Sequence, residues 1–226
     1  MGMIELKGIS KIYQQNTSPS VALEEVSLTI GQGELVAVMG PSGSGKSTLL
    51  NIIGCMDTPT SGTYLLDGVD VTASSRNRQQ KLRKEKISFV FQHFALMDMY
   101  TAYENVEVPL TARNVKRGKR KKIIEQCLEE MGIGDLKKRY PNQMSGGQKQ
   151  RTAIARALAA GTPIVLCDEP TGALDQKTGQ EVINVLKQIN QNGVTVIIVT
   201  HDPRIAAQTD RILYILDGKI VEDRKK

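Results

Sequence analysis

Apolar and polar positions nearly alternate over Ile4–Lys7, Leu23–Ile30 and Thr63–Leu66, the period of strands with one face buried and one wet. Leu35–Met39, Ile164–Cys167 and Val196–Val199 within Val194–Val199 are instead short unbroken apolar runs, and Ile87–Phe91 is a largely apolar one. Strands covered on both faces of a parallel sheet read this way. Arg211–Leu216 predicts one more strand, followed by the turn dipeptide Asp217-Gly218, with Glu222–Lys226 expected to fray. Polar Gln14–Ser20, with its proline, predicts a loop, and Gly31–Glu34 a turn. Lys46–Ile53 suits a helix, and Gln176–Asn190 sets Val182, Val185, Leu186 and Ile189 on one helical face. From about His93 to Ala160 no strand is apparent, and Ile123, Ile124, Cys127, Leu128 and Met131 fall at helical spacing. The pattern predicts one domain over residues 1–226: a parallel α/β core holding a mostly helical insertion at about 93–160.

Composition narrows the class. Hydrophobic residues at 40% and charged residues at 24% of 226 describe an ordinary globular chain with ample core. The longest apolar runs fall far short of the roughly 20 residues a membrane span needs. No basic-then-apolar segment opens the chain, so no secretory leader is expected. Cys55, Cys127 and Cys167 are widely spaced and odd in number, which points to thiols in a reducing compartment. Two histidines, His93 and His201, do not make a clustered metal site. The formal charge is +6, with a dense run at Lys116–Lys122 that reads as a solvated helix start or as a contact for a membrane surface or partner. Nucleic acid is disfavoured, because no aromatics interleave with the charge as stacking platforms.

The chemistry sits between strands and helices. Gly40-Pro41-Ser42-Gly43-Ser44-Gly45-Lys46-Ser47 fits the phosphate-loop pattern and lies between an apolar strand and a helix, the context the motif requires. Its backbone N–H groups can wrap an anion, Lys46 can reach the β- and γ-phosphates, and Ser47 can ligand Mg²⁺. Ile164–Asp168 is an apolar strand delivering Asp168 and Glu169 at its end. Asp168 is suited to hold Mg²⁺, and Glu169 to act as base on an attacking water. Gln92 and His201 also follow strands; each alone reads equally as a structural residue, although strand ends are where such cores bind ligands. Tyr13 reads as an edge-strand surface residue or as a stacker for a base. Ser145-Gly146-Gly147-Gln148 opens an alanine- and arginine-rich helix, and its unpaired N–H groups form a second phosphate-seeking element in a chain with one phosphate loop.

These motifs, in this order, closely resemble the nucleotide-binding domain of ABC transporters over nearly the whole chain. The resemblance implies a P-loop NTPase core with a mainly parallel sheet, an antiparallel β subdomain and an inserted helical subdomain bearing the signature motif. It implies Tyr13 as adenine stacker, Gly40–Thr48 as Walker A (Thr48 included) and Gln92 as Q-loop. It likewise implies Ser145, Gly146, Gly147 and Gln148 as signature, Asp168 and Glu169 as Walker B and catalytic base, Asp175 as D-loop, and His201 as switch histidine. ATP and Mg²⁺ follow, with Ser47, Gln92 and Asp168 toward the metal and Glu169, His201, Gln92 and Lys46 in catalysis. Met144, where leucine is usual, and Cys167, where a small residue is common, are apolar departures that leave catalysis intact.

Within the family, Asn51–Gly62, Thr101–Leu110 and Pro170–Asp175 are similar to the macrolide-exporter and lipoprotein-releasing group. That likeness implies a homodimer sandwiching ATP and an integral-membrane permease at the cytoplasmic face, with a periplasmic or extracellular adaptor as a further partner. The implied cargo is a drug, peptide or lipoprotein. The alternative is an ATPase that regulates a membrane partner without transport, as in the cell-division group. Phe94, Leu96, Met97 and Tyr100 either dock the permease or belong to the core of the helical insertion.

Overall fold

Ten strands divide between two sheets in the computed structural model, which describes residues 2–14 and 18–226. In chain order the elements are β1 (Ile4–Tyr13), β2 (Ser20–Ile30), β3 (Leu35–Met39), α1 (Lys46–Ile53), β4 (Ser61–Leu66) and β5 (Val69–Asp70). Next come α2 (Arg76–Lys86), β6 (Ile87–Phe91), α3 (Ala102–Ala112), α4 (Arg117–Glu130) and, after two short 3₁₀ turns, α5 (Gly146–Ala159). The chain closes with β7 (Ile164–Asp168), α6 (Gln176–Gln191), β8 (Thr195–Val199), α7 (Pro203–Ala206), β9 (Arg211–Leu216) and β10 (Lys219–Lys225).

The six-stranded sheet has the order β10-β9-β3-β8-β7-β6, parallel except for β10. The other sheet, β2-β1-β4-β5, is antiparallel. The unbroken apolar runs have a direct cause. Along β7, Ile164 and Leu166 enter a core shared with α1 and the antiparallel sheet, while Val165 and Cys167 enter a second core against the helices. Adjacent β8 does the same with Ile197 and Val199 against Val196 and Ile198. Successive strand side chains point to opposite faces, so a strand covered on both must be apolar throughout.

Between β6 and β7 the chain runs through α3, α4 and α5 and forms no strand. Thr101 caps α3 with Glu104 in a reciprocal capping box, satisfying N–H groups at the helix start. Of the segment after Gln92, Met97 and Tyr100 are exposed while Phe94 and Leu96 are half-buried, so these four are not an internal core.

Two expectations change, and one helix appears that no pattern predicts. The last residues do not fray: β10 pairs with β9 as far as Lys225 opposite Arg211. Buried Arg211 donates to Asp223 at 2.7 Å, to Thr29 O at 2.7 Å and to Glu34 at 2.9 Å, so the polar end is held by charge-assisted bonds that no apolar pattern reveals. β2 begins at Ser20, shortening the predicted loop; residues 15–17 of that loop lie outside the described residues. Helix α2 has no sequence signal of amphipathicity, because Leu82 alone is buried along it. All three cysteines are buried free thiols.

Candidate active site

The loop from β3 into α1 is shaped by glycines at positions other residues could not occupy. Gly40 has φ of +147° and Gly45 +104°. A Cβ on Gly40 would lie 2.0 Å from Ile215 O, and one on Gly45 2.4 Å from Ala22 O. The loop is thus pressed between β9 and β2. The closing hairpin braces it as well, since Gly218 N–H donates to Ser44 O at 3.0 Å. The Lys46 ammonium donates to Gly40 O at 2.9 Å and Pro41 O at 2.7 Å, which holds it across the loop mouth.

Beside this loop the parallel strands bring their ends together. A cleft of about 480 Å³ is lined by Ser20, Val21 and Ala22, by Gly40–Gly43 and Gly45–Thr48, and by Gln92, Asp168, Glu169, Val199 and His201. Ser47 Oγ lies 3.5 Å from Asp168 Oδ1. Burial pushes the Asp168 carboxyl above its ordinary value and the neighbouring Glu169 charge adds to this, opposed by the Ser47 bond and the Lys46 charge. A desolvated carboxylate beside a second carboxylate and a serine hydroxyl is a donor set that fits a hard divalent cation.

Glu169 has φ of +46°, a conformation costly for a non-glycine residue and common at functional sites. Its N–H donates to Val199 O at 3.0 Å, tying it to β8. That geometry aims the carboxylate at His201, with Nδ1 and Oε1 2.9 Å apart. The carboxylate is mostly covered, at 16% exposure, whereas His201 stands 73% exposed. Gln92 reaches the same cleft from the end of β6 and packs on Gly172, where a Cβ would lie 2.7 Å from its Nε2.

Seven of the predicted residues are absent from that lining: Tyr13, Ser44, Asp175 and the four of Ser145–Gln148. Ser145–Gln148 form the start of α5, capped reciprocally: Gln148 N–H donates to Ser145 Oγ at 3.3 Å and Ser145 N–H to Gln148 Oε1 at 2.9 Å. Asp175 caps α6 by accepting from Thr178 N–H at 3.0 Å and from its hydroxyl at 2.6 Å. The starts of α5 and α6 abut, since a Cβ on Gly147 would meet Thr178 Cγ2 at 2.4 Å. Tyr13 stands just beyond the cleft, opposite Ser20 in the β1–β2 pairing, with its hydroxyl donating to Asp57 Oδ2 at 2.8 Å.

The braces on the loop, Ala22, Ile215 and Gly218, carried no sequence signal, because each acts through its backbone. Gln150 was also missed. It is fully buried in α5, and its Nε2 donates to Pro170 O at 2.8 Å, next to the Glu169 turn.

The ABC transporter family profile matches residues 23–172, more than half of the chain. The macrolide export ATP-binding/permease protein MacB 1/2 of Paracoccus denitrificans is 47% identical over 223 residues, 99% of this chain and 33% of that protein. The chain therefore spans about a third of the length of such relatives. The uncharacterized ABC transporter ATP-binding protein MJ0796 of Methanocaldococcus jannaschii is 46% identical over 230 residues, 99% of this chain and 97% of that one. The solved dimer of MJ0796 in a post-hydrolysis state, bound to ADP and Pi, superposes with a TM-score of 0.92 at 44% identity, covering 99% and 98% of the two chains. With phosphate loop, paired carboxylates and strand-end histidine gathered in one cleft of that fold, this chain belongs to the ABC transporter family, as an ATPase cassette.

Proposed function

We propose that two copies close head to tail on two ATP molecules, each presenting Ser145–Gln148 to the γ-phosphate bound by its partner, and that closure drives a membrane permease. The observation that carries this reading is the separation of two phosphate-seeking elements: Gly40–Gly43 and Gly45–Thr48 line the cleft, whereas the start of α5 does not. The solved MJ0796 dimers support it.

In the cleft, loop N–H groups and Lys46 hold the β- and γ-phosphates. Ser47 and Asp168, with Gln92 beside them, would hold Mg²⁺, which when bound supplies charge neutralisation on the phosphates. Glu169 takes the proton of the attacking water, and His201 orients its carboxylate through the 2.9 Å contact. General-base assistance of this kind contributes on the order of 10²–10⁴ in rate. Replacing Glu169 by Gln should therefore lower turnover by about that factor while leaving ATP binding intact. The variant should accumulate as an ATP-bound dimer by light scattering; a monomer at saturating ATP–Mg²⁺ would overturn the two-copy reading.

The permease reading draws on the relatives named as ATP-binding/permease proteins, and on the surface beside Gln92. An apolar groove of about 480 Å³ lies between α2–β6 and α3–α5, lined by Phe89, Phe91, Ala95, Val108 and Pro109 among others. Exposed Met97, Met99 and Tyr100 lie on the neighbouring segment, and contiguous apolar surface of this kind marks an interaction site. A permease segment seated there would touch Phe91, the residue before Gln92, and so be coupled to the cleft. Export of a drug, peptide or lipoprotein at the cytoplasmic face of the membrane is the activity this likeness favours over a purely regulatory one. Any adaptor beyond the membrane would meet the permease rather than this chain.

A further inference from the structure

We propose that Lys11 and Asp57 act as positioning residues that hold the Tyr13 ring as a fixed platform for the adenine base. The inference rests on the reading that ATP lies in the cleft with its phosphates on Gly40–Thr48. Tyr13 stands at the right edge for this: it pairs across the antiparallel sheet with Ser20, and Ser20 lines the cleft.

Tyr13 ends β1, which lies between β2 and β4 and is not the edge strand expected, and a tyrosine 37% exposed at a strand end would ordinarily sample several rotamers. Here it is held at two points. Its hydroxyl donates to Asp57 Oδ2 at 2.8 Å, and the Lys11 ammonium lies 4.9 Å from its ring centroid. Lys11 is itself locked, donating to Asp57 Oδ1 at 2.6 Å and to Thr58 O at 2.7 Å. Asp57 also accepts from Thr58 N–H at 2.7 Å, and its own N–H donates to Asn51 O in α1 at 3.2 Å. A single carboxylate thus orients the phenol with one oxygen and the ammonium with the other.

Two consequences follow. With the cation over one face of the ring, the other face is the one left for a base, and the ring's π-cloud is drawn toward the ammonium. The platform is also tied through Asn51 to α1, the helix that begins with Lys46 and Ser47. The base platform and the triphosphate loop are therefore both tied to α1. Burial and the Asp57 bond raise the Tyr13 pKa, outweighing a Thr48 hydroxyl bond and the Lys11 charge that lower it, which keeps the phenol protonated as the donor this arrangement needs. The bond persists while Asp57 is ionised: burial pushes its pKa up, but the Lys11, Tyr13 and Thr58 bonds bring it below the ordinary value.

Preorganising an aromatic platform gains affinity by removing the cost of ordering it at binding. The experiment measures dissociation constants of ATP and of inorganic tripolyphosphate, both with Mg²⁺, for the full chain carrying Tyr13→Ala, Tyr13→Phe, Asp57→Ala, Lys11→Met and the Tyr13→Phe/Asp57→Ala pair. Thermal melts of each variant accompany them. Tyr13→Ala should weaken ATP about tenfold, and Tyr13→Phe, Asp57→Ala and Lys11→Met each about three- to tenfold. Tripolyphosphate binding should stay unchanged, as should turnover at saturating ATP in Asp57→Ala and Lys11→Met. Asp57→Ala should cost at least as much as Tyr13→Phe, because it cuts the phenol bond and also releases Lys11, and adding Tyr13→Phe to Asp57→Ala should cost nothing more. If Tyr13→Ala weakens ATP but Asp57→Ala and Lys11→Met do not, the positioning role is wrong while the adenine site stands. If Tyr13→Ala leaves ATP binding unchanged, the adenine site itself is misplaced and the proposal falls with it. Equal losses for ATP and tripolyphosphate in Asp57→Ala would reduce the Lys11–Asp57 pair to a structural tie and overturn the inference.

Discussion

The phosphate loop and the start of α5 are both helix N-termini rich in glycine and serine, yet they solve the problem of unpaired N–H groups in opposite ways. The loop before α1 has no side-chain cap: Gly45 stands in left-handed conformation and the N–H groups are left for a ligand. What holds it is distant backbone, from Ala22, Ile215 and Gly218. The start of α5 is closed on itself, with Ser145 and Gln148 satisfying each other. A preshaped cradle needs support from the rest of the fold, whereas a self-capped helix start stays stable until a second surface replaces its cap. Under the closure proposed above, that difference would suit one element to bind nucleotide in its own chain and the other to engage only on closure.

Three changes test the contrast, in order of expected effect. Gly45→Ala should be the most severe, because its Cβ meets Ala22 O and its φ of +104° is barred to alanine. Strain of about 1–3 kcal/mol and collapse of the cradle should abolish ATP binding in an equilibrium assay and lower the melting temperature. Ser145→Arg should act at the other element alone, lowering hydrolysis at least tenfold in a phosphate-release assay with ATP affinity kept. An equal loss of affinity would place Ser145 in the site of its own chain and erase the contrast.

The smallest effect concerns the brace. Asp223 is held below its ordinary carboxylate value first by the Arg211 bond, which outweighs partial burial, and further by the Arg211 and Lys225 charges. A carboxylate with a lowered folded pKa stabilises the fold above its unfolded value and loses that contribution as pH falls through the folded one. Acid below about pH 4 should therefore weaken the β9–β10 hairpin that supports Ser44. Asp223→Asn should flatten the fall of melting temperature over that range while lowering it slightly at neutral pH. Parallel acid curves for the two proteins would show that the brace carries no acid sensitivity.

Much of the fold was legible wherever burial imposes a repeating pattern. β3, β6, β7 and β8 are apolar on both faces, Ser88, Asp168 and Thr195 excepted, because each separates two cores, and α6 shows one apolar face because only one face is covered. Helix α2 was illegible for the converse reason: with Leu82 its sole buried residue, no pattern is required of it. β10 was misread as frayed because its hold on the sheet comes from Arg211, a residue whose partners lie on three other segments.

The same division runs through the site. Local motifs specify what each short segment can do, since a glycine loop between strand and helix, or two carboxylates closing an apolar strand, need only their neighbours to form. The sequence by itself therefore determined the family, the parallel core and the chemical character of Gly40–Thr48, Asp168–Glu169 and Ser145–Gln148. Which of these meet was decided by tertiary structure alone. Parallel pairing of β3, β8, β7 and β6 sets their ends side by side, which brings Gln92, Asp168 and Glu169 to the phosphate loop and His201 to Glu169. The same packing seats the start of α5 against α6, apart from that cleft, and gives Tyr13 its Lys11 and Asp57 supports. Distances between segments far apart in the chain are products of packing, and no local pattern encodes them.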